Sequence, residues 1–221
     1  MQSNETIHDK LRDRLVGGEF APGQRLRAET LRNDYGCSAS TLREALFRLS
    51  TVGLVDFQEQ RGFRLPAISA ELQHDLTQFR IMLESEGTCM SIRYGGVAWE
   101  ARLSAAHHML SHIESKVRDG PMNSELLVLW TRAELKFHQT LIDACNSDVL
   151  KQTHSVVYQR FRQQLINTDK EFVFIPENIE QHQGILDAAL AHDEDLIRKR
   201  IASHLSRNLA RPLPEKATPT S

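Results

Sequence analysis

Three histidines and one glutamate have the residue types and the helical spacing of a metal site. Glu134 and His138 lie four positions apart in the apolar run AELKFHQTLIDACN, and residues four apart share one face of a helix. His182 and His204 lie in two later runs with apolar neighbours at helical spacing, so all three imidazoles are predicted to face a core. Imidazole and carboxylate groups are ligands for zinc, nickel and similar divalent ions. The pattern therefore permits a buried metal site, although ordinary core histidines would leave the same pattern.

The composition indicates a globular protein without a membrane or export segment. The chain has 221 residues, of which 40% are hydrophobic and 25% are charged. No apolar run approaches the about 18–20 residues that a membrane-spanning helix needs, and the polar start has no signal-peptide core. Three scattered cysteines without metal-ligand spacing suit reduced thiols, so a cytoplasmic protein is expected.

The charge distribution leaves binding to nucleic acid open. The formal net charge is -2. Residues 1–66 carry 10 Lys+Arg against 9 Asp+Glu, a balance of +1, and the remainder carries 17 against 20, or -3. A small unit with a few well-placed arginines can still bind DNA, because the local field at the groove decides the interaction.

The chain divides near RLPAISAEL, residues 64–72, into a short N-terminal segment and a long helical one. The expected boundaries are a first domain over 1–66, a linker over 67–71, a helical domain over 72–209 and a disordered tail over 210–221. Apolar spacing in the second domain predicts helices near residues 70–94, 97–118, 123–145, 148–167, 177–191 and 193–209. Six such helices around one core form an all-α helical bundle.

The first 66 residues have the pattern of three short helices followed by a hairpin. Apolar residues at helical spacing define the first helix, Gly36 ends the second, and either Ser38 or Thr41 with Glu44 caps the third. Apolar and polar residues alternate in LVDFQEQRGFRLP around a turn near residues 60–62, which predicts a two-stranded hairpin. Such a segment is a winged helix-turn-helix. The expected fold class is therefore mainly α, with a winged helix-turn-helix ahead of the bundle.

The third helix of this segment carries the groups that suit contact with DNA. A recognition helix places its N-terminal residues against base edges in the major groove. Ser38, Ser40 and Thr41 offer hydroxyls for phosphates, and Arg43 is predicted to point outward with a guanidinium for guanine or phosphate. The tip of the hairpin can enter the adjacent minor groove. On the pattern alone, a small helical cap with a surface arginine is the alternative.

Three motifs follow one another in this segment: the turn G-x-x-x-PG-x-x-L, the helix REAL-x-RL-x-x-x-GLV and the RG of the hairpin tip. In order and spacing they resemble the winged helix-turn-helix of the GntR family of bacterial transcription regulators. The resemblance implies that the DNA contacts are Ser38, Ser40, Thr41, Arg43, Arg61 and Gly62, with Arg27 and Arg32 as weaker candidates for phosphate contacts. The family usually has Ser-Arg at the start of this helix, whereas this chain has Ser38-Ala39. The resemblance therefore implies the mode of binding but not the operator sequence.

Four further motifs lie in the helical segment: R-x-x-LE at residues 80–84, FH-x-x-L-x-x-A-x-N at 137–146, H-x-x-I-x-x-A at 182–188 and a closing HL at 204–205. They resemble the FCD ligand-binding domain that accompanies GntR-type readers in the FadR-like branch. Many FCD domains hold a divalent metal through an aspartate and three histidines, with an organic-acid effector beside it. The ligands that the resemblance implies here are Glu134, at the aspartate position, with His138, His182 and His204.

Arg80 is the residue expected to bind the effector. A cation in an apolar bundle is a counter-charge for a carboxylate, and a guanidinium group binds a carboxylate through two hydrogen bonds. An ion pair between Arg80 and Glu84 is the alternative role for this arginine. The expected metal is zinc or nickel.

Together these features favour a metabolite-responsive transcription regulator, most simply a repressor that a small carboxylate releases from DNA. A homodimer is expected, because one module makes too few base contacts and a palindromic operator offers two half-sites. A metal-dependent enzyme on a helical bundle is the alternative class, but the chain has one Glu-x-x-x-His and no paired Glu-x-x-His, nucleophile elbow, P-loop or Rossmann motif. A metal-responsive repressor, in which the ion itself is the signal, is a third interpretation.

Overall fold

The computed structural model describes residues 6–119, 124–168 and 175–209. Within these residues the chain forms nine helices and one three-stranded sheet. In chain order the elements are α1 (Ile7–Val16), β1 (Arg25–Leu26), α2 (Ala28–Tyr35), α3 (Ala39–Thr51), β2 (Asp56–Gln58), β3 (Gly62–Arg64), α4 (Ala70–Tyr94), α5 (Gly96–Asp119), α6 (Ser124–Leu141), α7 (Asp148–Thr168), α8 (Ile175–Leu190) and α9 (Glu194–Ser206). The predicted tail over residues 210–221 lies outside the described part of the chain.

The structure is divided into two compact units, and helix α7 contributes residues to both. The first unit comprises Met1–Ser69 together with Ser155–Phe172. The second unit comprises Ala70–His154 together with Val173–Ser221.

The second half of α7 is fixed within the first unit by two side-chain amides. The amide group of Gln163 donates to the carbonyl of Leu54 at 3.0 Å, and that of Gln164 donates to the carbonyl of Ala67 at 3.1 Å. Gln164 also accepts a hydrogen bond from the backbone N–H of Ser69 at 2.9 Å. Both glutamines are buried, so these bonds satisfy polar groups that water does not reach. The spacing of residues 148–167 predicted this helix, but spacing alone does not identify a packing partner.

The first unit packs three short helices around one apolar core. Leu42 and Leu49 of α3 are fully buried against the leucines of α1, as their helical spacing predicted. Ser38 caps α3, because its hydroxyl accepts a hydrogen bond from the backbone N–H of Thr41 at 3.1 Å. Of the two predicted caps, Ser38 is therefore the one that the chain uses. The same packing leaves Arg43 on the exposed face of the helix.

An antiparallel sheet in the order β1-β3-β2 completes the first unit. Phe63 of β3 pairs with Phe57 of β2 on one side and with Leu26 of β1 on the other. The turn between β2 and β3 places Gln60 at φ 64° and Gly62 at φ 75°, in the left-handed region. The predicted hairpin is formed by β2 and β3. Strand β1 was not predicted, because two residues are too few to show an alternation.

Helices α4, α5, α6, α8 and α9 form the second unit together with the first residues of α7. Trp99, Trp130 and Phe137 are buried in its core, and the indole N–H of Trp99 donates to the carbonyl of Thr140 at 2.8 Å. Helix α6 ends at Leu141, whereas the sequence predicted an end near residue 145. Residues 142–144 form a turn instead. The mainly α fold class is confirmed. No helix in the described ranges is long and apolar enough to cross a membrane.

Candidate metal centre and nucleic-acid interface

Three buried histidines from three different helices lie close together in the second unit. They are His138 on α6, His182 on α8 and His204 on α9, and each offers a ring nitrogen within 4.8 Å of the other two. Their ring centroids lie between 4.6 and 5.6 Å apart. We call these three residues the histidine cluster. The structure thus brings together three of the four predicted metal-site residues at a spacing at which one ion can be held.

Each imidazole of the histidine cluster has a hydrogen-bond acceptor at its Nδ1 atom. Taking His138, His182 and His204 in turn, the Nδ1 atoms lie 2.9 Å from Glu84 Oε2, 3.0 Å from Glu114 Oε1 and 2.9 Å from Gln181 Oε1. Since these oxygens accept, each Nδ1 carries the proton and each Nε2 keeps the lone pair that a metal ion needs. Within the described part of the chain, Nε2 of His182 is buried without a hydrogen-bond partner. An orphaned acceptor of this kind fits a metal ligand.

Burial favours the neutral form of two imidazoles of the histidine cluster. Desolvation by burial lowers the pKa of His138, although Glu84 opposes part of that effect. Burial and the neighbouring His182 lower the pKa of His204 well below its ordinary value. A neutral imidazole is the form that binds a metal ion, so the lowered pKa values of His138 and His204 suit a divalent cation.

Glu84 on α4 is the centre of a buried ion-pair network behind the cluster. Its Oε1 lies 2.5 Å from Arg80 Nε and 2.9 Å from His154 Nε2, and its Oε2 contacts His138. Burial alone would raise the pKa of Glu84, but Arg80 and His138 outweigh burial and hold the pKa well below its usual value. Glu84 is therefore ionised. The ion pair that the sequence offered as an alternative role for Arg80 is present.

Glu134 lies between Arg80 and the histidine cluster. Its Oε1 is 3.5 Å from Nε2 of His138 and 3.6 Å from Nη2 of Arg80, and its side chain is buried. Among the described residues, only the three histidines form a group of three or more whose ligand atoms all lie within 4.8 Å of one another. Direct ligation by Glu134 would therefore require its side chain to turn toward them.

Sequence reasoning missed three residues of this network: Glu114, His154 and Gln181. They lie on α5, α7 and α8, and their spacing in the sequence has no relation to the residues that they contact. One signal was available for Glu114, which lies four positions after the buried Leu110 and so shares its face of α5. A carboxylate on an apolar helix face needs a buried partner.

The predicted DNA contacts on α3 lie on an exposed face of the first unit. Ser38, Ser40, Thr41 and Arg43 are all exposed. The hydroxyls of Ser38 and Thr41 are 2.8 Å apart, so the capping hydroxyl also contacts its neighbour. Nη2 of Arg43 lies 2.7 Å from Oε1 of Glu29 on α2, an acidic neighbour that sequence reasoning missed. We call the exposed face of α3, with Glu29 and the β2–β3 tip, the reading surface.

A groove of about 610 Å³ lies on the reading surface and is bordered by Ser40, Arg43 and Gly62. Two exposed aromatic rings, Phe47 of α3 and Phe57 of β2, also border it and meet edge to face with centroids 6.0 Å apart. This contact joins the recognition helix to the sheet whose tip is predicted to reach DNA. The remaining predicted contacts, Arg27, Arg32 and Arg61, are exposed on the same unit.

A winged helix-turn-helix followed in the same chain by an all-α helical bundle is the architecture of a class of DNA-binding transcription regulators. Residues 3–65 match the family described as bacterial regulatory proteins, gntR family, and residues 75–207 match the FCD domain. The chain belongs to the GntR family and has an FCD domain as its second part. The resemblance seen in the sequence motifs is confirmed.

Two relatives of known sequence support this assignment across nearly the whole chain. BphR of Paraburkholderia xenovorans, described as an uncharacterized HTH-type transcriptional regulator, is 32% identical over 210 residues, 93% of this chain and 83% of its own. The HTH-type transcriptional repressor GlaR of Escherichia coli is 28% identical over 199 residues, 88% of this chain and 89% of its own. Because these relatives are transcription regulators, this chain is a transcription regulator and not an enzyme.

Solved structures share the fold. McbR/YncC of E. coli superimposes with a TM-score of 0.74 at 20% identity, over 91% of this chain and 92% of that one. A GntR-type regulator from Rhodococcus sp. RHA1 superimposes with a TM-score of 0.72 at 22% identity and the same coverage. At these identities the likeness concerns the fold alone.

Proposed function

We propose that the protein is a metabolite-responsive repressor that binds palindromic operator DNA as a homodimer. A divalent ion, zinc or nickel, occupies the histidine cluster, and a small carboxylate effector binds beside the ion. The observation that carries this proposal is the convergence of three buried imidazoles whose Nδ1 atoms each lie within hydrogen-bond distance of an acceptor. The E. coli relative described as a transcriptional repressor supports the sign of the regulation.

The proposed ligands of the ion are Glu134, His138, His182 and His204. Glu84, Glu114 and Gln181 orient the three imidazoles from behind, as acceptors commonly do around metal-bound histidines. Three neutral imidazoles and one carboxylate leave a divalent ion with residual positive charge. That charge attracts an anion, so the site favours an acidic effector.

The proposed effector contacts both the ion and Arg80. Oε1 of Glu134 contacts both groups: it lies 3.6 Å from Nη2 of Arg80 and 3.5 Å from Nε2 of His138. A carboxylate of the effector can take the position of that oxygen while Glu134 turns toward the ion. The protein can adopt one arrangement that fits DNA well and another that fits it poorly. The effector acts as a release signal if it has the higher affinity for the second arrangement.

In the proposed complex with DNA, the recognition helix lies in the major groove of each half-site. The proposed contacts are Ser38, Ser40, Thr41 and Arg43 on α3, Arg61 and Gly62 at the tip, and Arg27 and Arg32 at phosphates. Their exposure on one unit supports this assignment. A second copy of the chain supplies the contacts to the other half of the palindrome.

Elemental analysis of the purified protein tests the metal site. The wild-type chain should carry about one zinc or nickel ion, the number that a single three-histidine site holds. His182→Ala should lose it. His112→Ala, which removes an exposed histidine from α5, is the matched control and should retain the ion. Wild-type protein that neither contains nor takes up a divalent ion would contradict the proposal.

A gel-shift assay with the DNA upstream of the protein's own gene tests the regulatory function. Retention should survive an excess of unrelated DNA at two salt concentrations, and short-chain carboxylic acids should release the DNA. Release on chelation alone, without an acid, would make the ion itself the signal. Weak binding that ignores sequence and vanishes at moderate salt would contradict operator recognition, because such binding is purely electrostatic.

A further inference from the structure

A glutamate lies on the surface that must approach the phosphates of DNA. Glu29, in the first turn of α2, accepts a hydrogen bond from Nη2 of Arg43 on α3 at 2.7 Å. The side chains of Glu29 and Arg43 are 65% and 62% exposed, and both border the groove of the reading surface. The pair is thus on the outside of the first unit, at the place where a DNA base edge would enter.

Folding does not account for this ion pair. Exposed salt bridges contribute little to stability, because water already solvates both charges well. A carboxylate on a DNA-facing surface also has a cost, since it repels the phosphates that dominate affinity. The hydrogen bond from Arg43 singles out Glu29 among the carboxylates that border the groove, and this contact links Glu29 to recognition.

The two side chains are suited to the two kinds of base found in G·C pairs, arginine to guanine and glutamate to cytosine. Guanidinium groups donate to O6 and N7 of guanine, and carboxylates accept from the N4 amino group of cytosine, both in the major groove. The first turn of α3 has Ala39, Ser40 and Thr41, so Arg43 is the first guanidinium along the recognition helix. The ion pair uses one oxygen of Glu29 and one nitrogen of Arg43, which leaves each group a further atom for a base.

We infer that Glu29 is a specificity-determining residue that selects a cytosine in each half-site, in the base pair adjacent to the one whose guanine Arg43 selects. The ion pair holds the guanidinium in the direction of the base edges and neutralises its charge. Arg43 then contributes discrimination between sequences more than attraction to any phosphate. This inference rests on the proposed binding of α3 in the major groove of operator DNA.

Selection from a DNA library with randomised half-sites tests the inference, with the full-length wild-type chain, Glu29→Ala and Glu29→Gln. The wild type should select one cytosine per half-site. Glu29→Ala should weaken that preference by roughly 5-fold, the lower end of the discrimination that a good base contact provides, because Glu29 has one oxygen for the base. Glu29→Gln should change the preference at the same position toward adenine, because a glutamine amide pairs with N6 and N7 of adenine.

Glu44→Gln is the matched control. Glu44 is exposed on α3 and borders the same groove, so this variant removes the same charge from the same surface. It should bind all sequences somewhat more tightly and keep the wild-type base preference.

Two results would overturn the inference. One is an unchanged preference at every position in both Glu29 variants. The other is a weaker guanine preference with no change at the cytosine, since Glu29 would then only position Arg43. A wild-type chain that selects no sequence at all would instead contradict the proposed function, so the two failures are distinguishable.

Discussion

The ion-pair network beside the histidine cluster and the reading surface each contain an arginine paired with a glutamate, but at opposite levels of burial. Arg80 and Glu84 are 1% and 0% exposed, whereas Arg43 and Glu29 are about two-thirds exposed. An exposed pair contributes about 0–1 kcal/mol, but a buried charge that loses its partner costs about 3–5 kcal/mol. The buried pair therefore supports the structure of the bundle as well as the proposed effector site, whereas the exposed pair adds little to stability and is available for recognition.

Removal of Glu84 should have the largest effect on stability. Glu84→Ala takes away the acceptor of Arg80 Nε and of two histidines. We expect the free energy of unfolding to fall by about 3–5 kcal/mol, measured by chemical denaturation with a chelator present so that metal binding does not contribute.

Glu86→Ala is the matched control for this prediction. Glu86 lies on the same helix, two positions further on, and pairs with Arg198 at 3.0 Å on the surface. Its loss should cost about 0–1 kcal/mol. Equal losses in the two variants would break the distinction between buried and exposed pairs.

The two sites also differ in how far the sequence could predict them. The predicted contacts of the reading surface lie within one stretch, residues 27–62, where capping, turn and spacing signals are local. The recognition helix, its exposed Arg43 and the hairpin were therefore predictable. Glu29 was not, because its contact with Arg43 depends on how α2 packs beside α3.

The histidine cluster was predictable only in part, because its parts come from distant positions. Helical spacing indicated that His138, His182 and His204 face the core, and the structure brings them together. The partners behind them, such as Glu114, follow from the packing of α5 against its neighbours and have no sequence motif. The end of α7 likewise belongs to the first unit although it is distant from the rest of that unit in the sequence.

Glu114, the acceptor of His182 Nδ1, should matter for metal affinity. Glu114→Gln keeps the shape of the side chain but weakens the acceptor of His182 Nδ1. Changes of this kind reduce metal affinity by about 10- to 100-fold. Competition with a chelator of known affinity measures the effect.

Glu100→Gln provides the comparison for Glu114. Glu100 lies on the same helix and pairs with His192 at 2.8 Å, but that histidine is exposed and belongs to no cluster of the described residues. This variant should bind metal as the wild type does. Unchanged metal affinity in Glu114→Gln would show that burial of the pair has no influence on the ion.

The smallest effect should come from the cap of the recognition helix, where one residue serves both stability and recognition. Ser38→Ala removes the hydroxyl that accepts from the backbone N–H of Thr41, and loss of such a cap costs about 1 kcal/mol. Ser40→Ala removes a neighbouring exposed hydroxyl that does not cap α3. Both variants should weaken binding in the gel-shift assay, because both hydroxyls are proposed to contact phosphates. In denaturation experiments only Ser38→Ala should lower stability. A Ser38→Ala chain as stable as the wild type would mean that water replaces the cap, and the reading surface would then be free of any structural constraint at that position.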